Sequence, residues 1–166
     1  MTMRRMIFQG PALPHQEETL NDETVRLDEG EALVAISLAT ICGSDLHTHD
    51  GRRACPMPTV LGHEGVGKII ALGKGRDPSL IGQRVTWTLT DSCGQCLACT
   101  EWHLPQKCQS LFKYGHASME DGHGLNGCFA THLILRKGTS VYPVPESLSD
   151  AMVAPANCAL ATMVAV

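Results

Sequence analysis

The sequence predicts a mainly β domain, a small β-barrel or β-sandwich with one irregular excursion and a helix at its carboxyl end. Three observations predict it. Short apolar runs of strand length alternate with turn residues. The 16 Gly and 9 Pro among 166 residues punctuate the chain too often for a helix bundle. Periodicity then vanishes between Thr90 and Tyr114, where the cysteines crowd. The length suits roughly one domain of about 100–150 residues. A chain with 43% hydrophobic and 18% charged residues has the material for a core and does not read as disordered.

Arg5–Gln9 is expected to form the first strand, and Ala32–Ala39 (ALVAISLA) a stronger one with partial alternation. Gly67–Gly73 and Gln83–Leu89 follow, each bounded by Gly or polar residues. Cys128–Leu135 (CFATHLIL) reads as a further strand and Val141–Val144 as a short one before a turn. Ser147–Asp150 offers a helix start with Ser149 as N-cap. Ala-rich sequence then carries the helix to Val166, with Pro155 expected to break or kink it. Neither Gly nor a basic residue closes that helix, so the chain is expected to be cut within it. No internal repeat or low-complexity linker interrupts the chain.

The net charge of −4 and pI near 6.0 give no electrostatic reason to bind nucleic acid or an anionic membrane. Aromatics at 4% are too few for a base-stacking platform. The amino terminus opens with Arg4 and Arg5 but runs into Gln9-Gly10-Pro11, without the apolar core of a secretion signal. The longest uncharged stretch, Ala151–Val166, contains Pro155 and Asn157 and falls short of the roughly 20 residues of a membrane span. A cytoplasmic chain is expected, in which clustered cysteines are more often metal ligands than disulfides.

Cys93, Cys96, Cys99 and Cys108 form a C-x2-C-x2-C-x8-C set. Four thiolates on one tight loop surround a zinc ion tetrahedrally, and a closed four-ligand shell marks a structural site. The loop has few apolar residues, so the metal would supply the order that packing cannot. Two other readings stand beside it. C-x2-C-x2-C also opens iron–sulfur motifs, although their C-x3-C-P continuation is absent; disulfides or inert thiols form the third. Elsewhere the chain has Cys42-Gly43-Ser44-Asp45-Leu46-His47, Gly62-His63-Glu64-Gly65-Val66-Gly67 and, far downstream, Cys158. Each is weak alone, since a lone Cys is usually a small buried hydrophobe.

In this order and at this spacing, Cys42-x-Ser44-Asp45-x-His47, Gly62-His63-Glu64-x-x-Gly67 and the four-cysteine loop resemble the zinc-dependent medium-chain alcohol dehydrogenase family. The resemblance covers the whole chain, including the Gly82-Gln83-Arg84-Val85 turn and the Gly127–Leu135 strand. It matches the family's amino-terminal catalytic domain and so implies a GroES-like β-barrel with a zinc-binding loop and a C-terminal helix. Cys42–His47 resembles the polyol and threonine dehydrogenase branch. Leu104–Cys108 and Thr40–Arg53 more particularly resemble alcohol dehydrogenases associated with phosphonate catabolism.

By that resemblance Cys42, His63 and Cys158 bind a catalytic zinc whose fourth position takes water or substrate. Glu64 stands behind the metal, as a support or an occasional ligand, and Asp45 accepts a hydrogen bond from His63 and fixes its tautomer. Ser44 takes the proton from the alcohol, His47 passes it to solvent, and Thr162 contacts the nicotinamide. The implied cofactors are two zinc ions per chain, one catalytic and one structural, with NAD or NADP in the full-length parent. The implied substrate is a small-molecule alcohol, and the implied assembly a homodimer or homotetramer.

Residues 1–150 are expected to form the catalytic domain, with the structural zinc loop at 91–113. Residues 151–166 would begin the helix leading to a nucleotide-binding Rossmann domain absent from this chain, so the fragment alone is expected to be inactive. Gly122-His123-Gly124-Leu125-Asn126-Gly127 matches Gly-x-Gly-x-x-Gly by letters only, because it enters a strand instead of opening a helix.

Plainer readings stand beside these. His47 also reads as a surface helix residue and Asp45 as a helix cap. Cys55 reads as a loop thiol and Cys128 as a core-facing strand residue. His49 and His116 are candidates for a substrate pocket, while His103, His123 and His132 read as solvated or packed. The sequence departs from the family pattern in having eight residues between Cys99 and Cys108 where seven are usual, in Arg76, and in Gln83. The rival from another class is a stand-alone zinc-stabilised binding or scaffold module without catalysis; a zinc-free reductase of the same superfamily is the third possibility.

Overall fold

Strand β3, Ala32–Thr40, is the spine of the protein. Its apolar residues fall on both faces because it lies inside a sheet, with β5 (Glu64–Leu72) on one side and β9 (His132–Leu135) on the other. β6 (Arg84–Trp87) and β10 (Val141–Pro143) complete five strands in the order β10-β6-β5-β3-β9, every pairing antiparallel. A second sheet is made by β2 (Gln16–Asn21), β1 (Thr2–Phe8) and β4 (Thr59–Val60), in the order β2-β1-β4. β7 (Thr90–Asp91) and β8 (Phe112–Lys113) pair at the base of the cysteine excursion. This computed structural model describes residues 2–21, 25–121 and 123–164.

The principal core lies on one face of the five-stranded sheet and is built around Trp87, Tyr114, Ile69, Val34, Leu133 and Leu135, all essentially without solvent exposure; a second cluster, Met3, Leu33, Leu125 and Ile134, joins β1 to that sheet. Burying each such side chain stabilises by about 1.5–3 kcal/mol. Two shifts of register between β3 and β5, at Leu33/Val34 and Ile36/Leu38, bend the sheet toward closure.

The strand expected at Cys128–Leu135 is shorter than its sequence suggests. Only His132–Leu135 lies in the five-stranded sheet. Before it, Cys128 and Phe129 donate to the carbonyls of Gly62 and Leu61, and Thr131 donates to that of Arg4, so the segment crosses from one partner to another. Here Gly127 is pressed against backbone: a Cβ would lie 1.9 Å from the Val60 carbonyl oxygen. Gly127→Ala is therefore expected to cost about 3 kcal/mol. Gly43→Ala, where a Cβ meets nothing within 4 Å, is expected to be neutral or slightly stabilising. Equal urea midpoints for the two variants would refute this close approach.

At the carboxyl end Ser149 is the N-cap residue of α3 (Asp150–Val153), as expected, although its side chain makes no capping bond; α1 and α2 belong to the sites below. Pro155 breaks the helix. A π-helical turn, Ala156–Leu160, follows it and leads into α4 (Ala161–Val164). The expected reach to Ala165 and Val166 lies outside the described residues, as does Gly122 of the Gly-x-Gly run. The rest of that run is irregular, neither helix nor strand, and Gly124 gives its carbonyl to the Arg5 guanidinium at 2.9 Å. Arg76, foreign to the family pattern, pins three carbonyls, those of Gly30, Lys137 and Thr139. Among the described residues no helix is long and apolar enough to cross a membrane.

Candidate metal centres and substrate cleft

The cysteine excursion is nearly bare of packing. Its regular structure is α2 (Leu97–Thr100), with Cys96 at the N-cap, and one 3-10 turn, Pro105–Lys107. That turn leads directly into Cys108, which is buried. All four sulfurs lie within 4.8 Å of one another. Cys96 Sγ is 3.5 Å from Cys99 Sγ and 3.9 Å from Cys108 Sγ.

Tetrahedral zinc with bonds of about 2.3 Å spaces its sulfurs about 3.8 Å apart, whereas a disulfide needs about 2.05 Å. The donor set fits one zinc ion, and sulfurs this close leave no room for a multi-iron cluster. Backbone N–H groups of Gln109 and Cys99 pull the Cys96 thiol down to about 6, favouring the thiolate that binds metal. Burial and the hydrogen-bonded Cys96 sulfur push Cys99 up to about 11, the mutual penalty of thiolates with no cation between them.

The second cluster draws on four parts of the chain. Cys42 is the N-cap of α1 (Gly43–His49), and its N–H donates to Asp45 Oδ2 at 2.9 Å, closing the helix start. Gly62, at φ +88°, turns the chain into β5 and presents His63 and Glu64, each 4% exposed. Cys158 arrives on the π-helical turn, with its sulfur 3.9 Å from that of Cys42. Donor atoms of Cys42, His63, Glu64 and Cys158 all lie within 4.8 Å of one another. The two-sulfur, one-imidazole set with a carboxylate beside it fits zinc.

Electrostatics support that fit. Burial pushes Cys158 up to about 12, helped by the neighbouring Cys42 sulfur. Burial also raises Cys42, but hydrogen bonds from Ser44 and His63 outweigh it and leave that thiol below its usual value. The pair thus repels double ionisation, a repulsion that a dication relieves.

Asp45 is the hinge of this arrangement. Only 2% exposed, it accepts from the Cys42 N–H and, at 3.3 Å, from the Gly62 N–H, while Oδ1 lies 3.2 Å from His63 Nδ1. The His63 contact is close but bent: Nδ1 has no straight hydrogen bond. Burial raises the Asp45 carboxyl, yet His63 and the two N–H groups outweigh it and hold it below its usual range. The capping and histidine-orienting readings of Asp45 therefore coincide in one carboxylate. Glu64 is fixed by the Thr40 hydroxyl at 2.6 Å.

Ser44 Oγ lies 3.4 Å from His63 Nε2 and borders a cavity of about 310 Å³ shared with His63, His116 and Cys158. His116 enters it as expected, whereas His49 borders a separate apolar hollow with His15, Leu46 and Phe129. His47 is exposed on α1 and Thr162 is exposed on α4. Among the described residues no hydrogen bond joins the His47 ring or the Thr162 hydroxyl to the cluster.

Asn157 is absent from the expected set, yet its Nδ2 donates to the carbonyls of His63 and Trp87, both at 3.1 Å, and so holds the Cys158 turn against β5 and β6. Cys128 is buried in the core, where burial raises its thiol strongly, and Cys55 is half-buried in a loop.

Fold and site together define a metal-binding β-barrel domain with one closed thiol site and one site open to a cleft. Residues 28–146 match the alcohol dehydrogenase GroES-like domain, and the chain belongs to that family, the zinc-dependent medium-chain alcohol dehydrogenases. It is 29% identical over 150 residues to D-arabinitol dehydrogenase 1 of Uromyces fabae, covering 89% of this chain and 40% of that protein. To 5-exo-hydroxycamphor dehydrogenase of Pseudomonas putida it is 33% identical over 141 residues, covering 81% and 38%.

The fold superposes on the crystal structure of an alcohol dehydrogenase from Thermotoga maritima with a TM-score of 0.86 at 28% identity, over 98% of this chain and 46% of that one. An alcohol dehydrogenase of E. coli CFT073, solved with NADH, gives 0.77 at 28% identity, over 93% and 42%. The expected GroES-like fold is thereby established. The chain spans about two-fifths of the length of the curated relatives it matches.

Proposed function

We propose that this chain is the zinc-binding catalytic domain of an NAD- or NADP-dependent dehydrogenase that exchanges hydride with an alcohol or polyol. The observation that carries the reading is the convergence of Cys42, His63, Glu64 and Cys158 beside a cavity sized for a small substrate. Zinc held by these residues would polarise the substrate oxygen and lower its pKa.

The chain's own residues supply the rest. Asp45 orients the His63 ring, and Asn157 holds the Cys158 turn in place. Ser44, bordering the cavity, receives the alcohol proton, which leaves by way of exposed His47. Thr162, one helical turn beyond Cys158, faces the nicotinamide. Residues 1–150 form the catalytic barrel, and the helical turns that follow it lead toward the nucleotide-binding domain of the parent. The parent is a cytoplasmic homodimer or homotetramer. Relatives named as alcohol, polyol and threonine dehydrogenases support this reading, and the isolated chain is expected to bind zinc without turnover.

Metal content tests it. Chain purified without chelator or metal-affinity steps is expected to carry about two zinc ions, and Cys42→Ser about one. A single zinc that Cys42→Ser leaves untouched would reduce the protein to a zinc-stabilised module without a catalytic centre.

A further inference from the structure

The cavity beside the Cys42–His63–Cys158 cluster is lined by two cations, Arg53 and Lys113, and by the imidazole of His116; no Asp or Glu borders it, the Asp45 and Glu64 carboxylates lying behind His63. This is a cationic hollow in a chain of net charge −4. Arg5, Arg84 and Arg136 each lie against a carboxylate. Arg53 is half-buried, yet among the described residues its guanidinium has no ion pair and no hydrogen bond. Lys113 likewise has no ionic partner there, and the His116 Nε2 atom is buried without one. A partly desolvated guanidinium without an acceptor is costly, and an oxyanion satisfies it with charge-assisted hydrogen bonds. The guanidinium fork suits both carboxylate and phosphate groups.

We infer that the alcohol substrate carries an anionic group, a carboxylate or a phosphate-type oxyanion, held by Arg53 and Lys113 while its hydroxyl faces the Cys42–His63–Cys158 cluster. This rests on the dehydrogenase reading above and narrows its substrate class. The cavity of about 310 Å³ holds only a small molecule, so the hydroxyl and the anion stand a few bonds apart. Lys113 is exposed to solvent, so the half-buried Arg53 guanidinium is the cation that a neutral alcohol leaves uncompensated; a hydroxy-anion compensates it, with Lys113 as a second contact, and places its reacting carbon in one step.

Nuclear magnetic resonance titration of the zinc-loaded, 15N-labelled chain tests this with three probes of similar size. Glycolate presents a carboxylate, 2-hydroxyethyl phosphate a phosphate, and ethylene glycol no charge. At least one anion is expected to bind about tenfold or more tightly than ethylene glycol, with weakening as salt rises. The tighter anion names the group. Arg53→Gln and Lys113→Gln are each expected to lose about tenfold for the anions and to leave ethylene glycol unchanged.

Equal binding of all three probes overturns the inference, as does anion binding indifferent to both substitutions. Weaker NADP+ binding in Arg53→Gln with unchanged anion binding also overturns it, because the charge then serves the cofactor. Zinc content separates this failure from the larger one. Two zincs without anion preference sink the substrate class alone, whereas an empty Cys42 site sinks the dehydrogenase reading and this inference with it.

Discussion

Stripping metal from the chain with a chelator under reducing conditions is expected to melt residues 97–108 while the five-stranded sheet stays folded. The excursion's largest apolar side chains, Leu97, Trp102 and Leu104, face solvent, and Ala98 and Cys108 are its buried residues. A four-residue helix is far below the roughly 12–15 residues at which isolated helices become even marginal. Order there must come from the four sulfurs.

Four-ligand zinc binding is worth about 10–16 kcal/mol in small zinc domains, comparable with the roughly 5–15 kcal/mol that holds a whole domain together. Melting stops at Phe112, which is buried against Tyr114 and carries the Arg136 guanidinium 4.4 Å above its ring. Hydrogen exchange reads the boundary. After chelation the amides of Cys99 and Thr100, bonded to the Cys96 carbonyl, and of Cys108, bonded to that of Pro105, should lose protection. Those of Ile69 and Ile134 should keep it. Protected loop amides in demonstrably metal-free protein would show that the excursion packs by itself.

Sequence reading succeeded where a residue's type alone restricts what it can do. Ala32–Ala39 is apolar enough to be read as a strand, which the structure extends to Thr40, and cysteines at C-x2-C spacing announce a metal loop before any fold is known. It failed where partners decide. Gln16–Asn21 (QEETLN) has no apolar residue but Leu20, yet pairs with β1 along its whole length because an edge strand needs only one partner for its backbone. The two-residue strands β4, β7 and β8 are too short to carry any period.

In the candidate site, the proposed ligand types were legible, while their supports were not. Asn157 lies outside any motif and Arg53 ends the Thr40–Arg53 stretch without a role assigned to it, and their placement comes from a π-helical turn and a loop that no local pattern encodes. Asp45 was legible in both its readings, as cap and as histidine partner. The structure adds that one carboxylate does both, together with the Gly62 N–H.

Asp45→Ala is therefore expected to be the most damaging single substitution outside the proposed metal ligands. It leaves the N–H groups of Cys42 and Gly62 without their acceptor and removes the carboxylate 3.2 Å from the His63 ring nitrogen, in a place only 2% exposed. Orphaning one buried donor costs about 1–3 kcal/mol, and breaking a buried charged pair about 3–5 kcal/mol. These terms overlap, so a loss of about 3–5 kcal/mol is expected in urea unfolding.

The same change frees the α1 N-terminus bearing Cys42 and the turn bearing His63, two separate arms of the cleft site. Metal affinity there should fall about 10–100-fold, as it does when a ligand's supporting carboxylate is lost, while the four-cysteine loop keeps its zinc. Asp45→Asn keeps the volume and one acceptor oxygen but turns an amide N–H toward a backbone N–H. It should fall between wild type and alanine in both stability and cleft affinity. Two readouts moving together, with the loop zinc unchanged, would show that one carboxylate couples the fold of α1 to the geometry of the metal site. A chain that loses stability in Asp45→Ala yet retains tight binding of both zincs would assign Asp45 to helix capping alone.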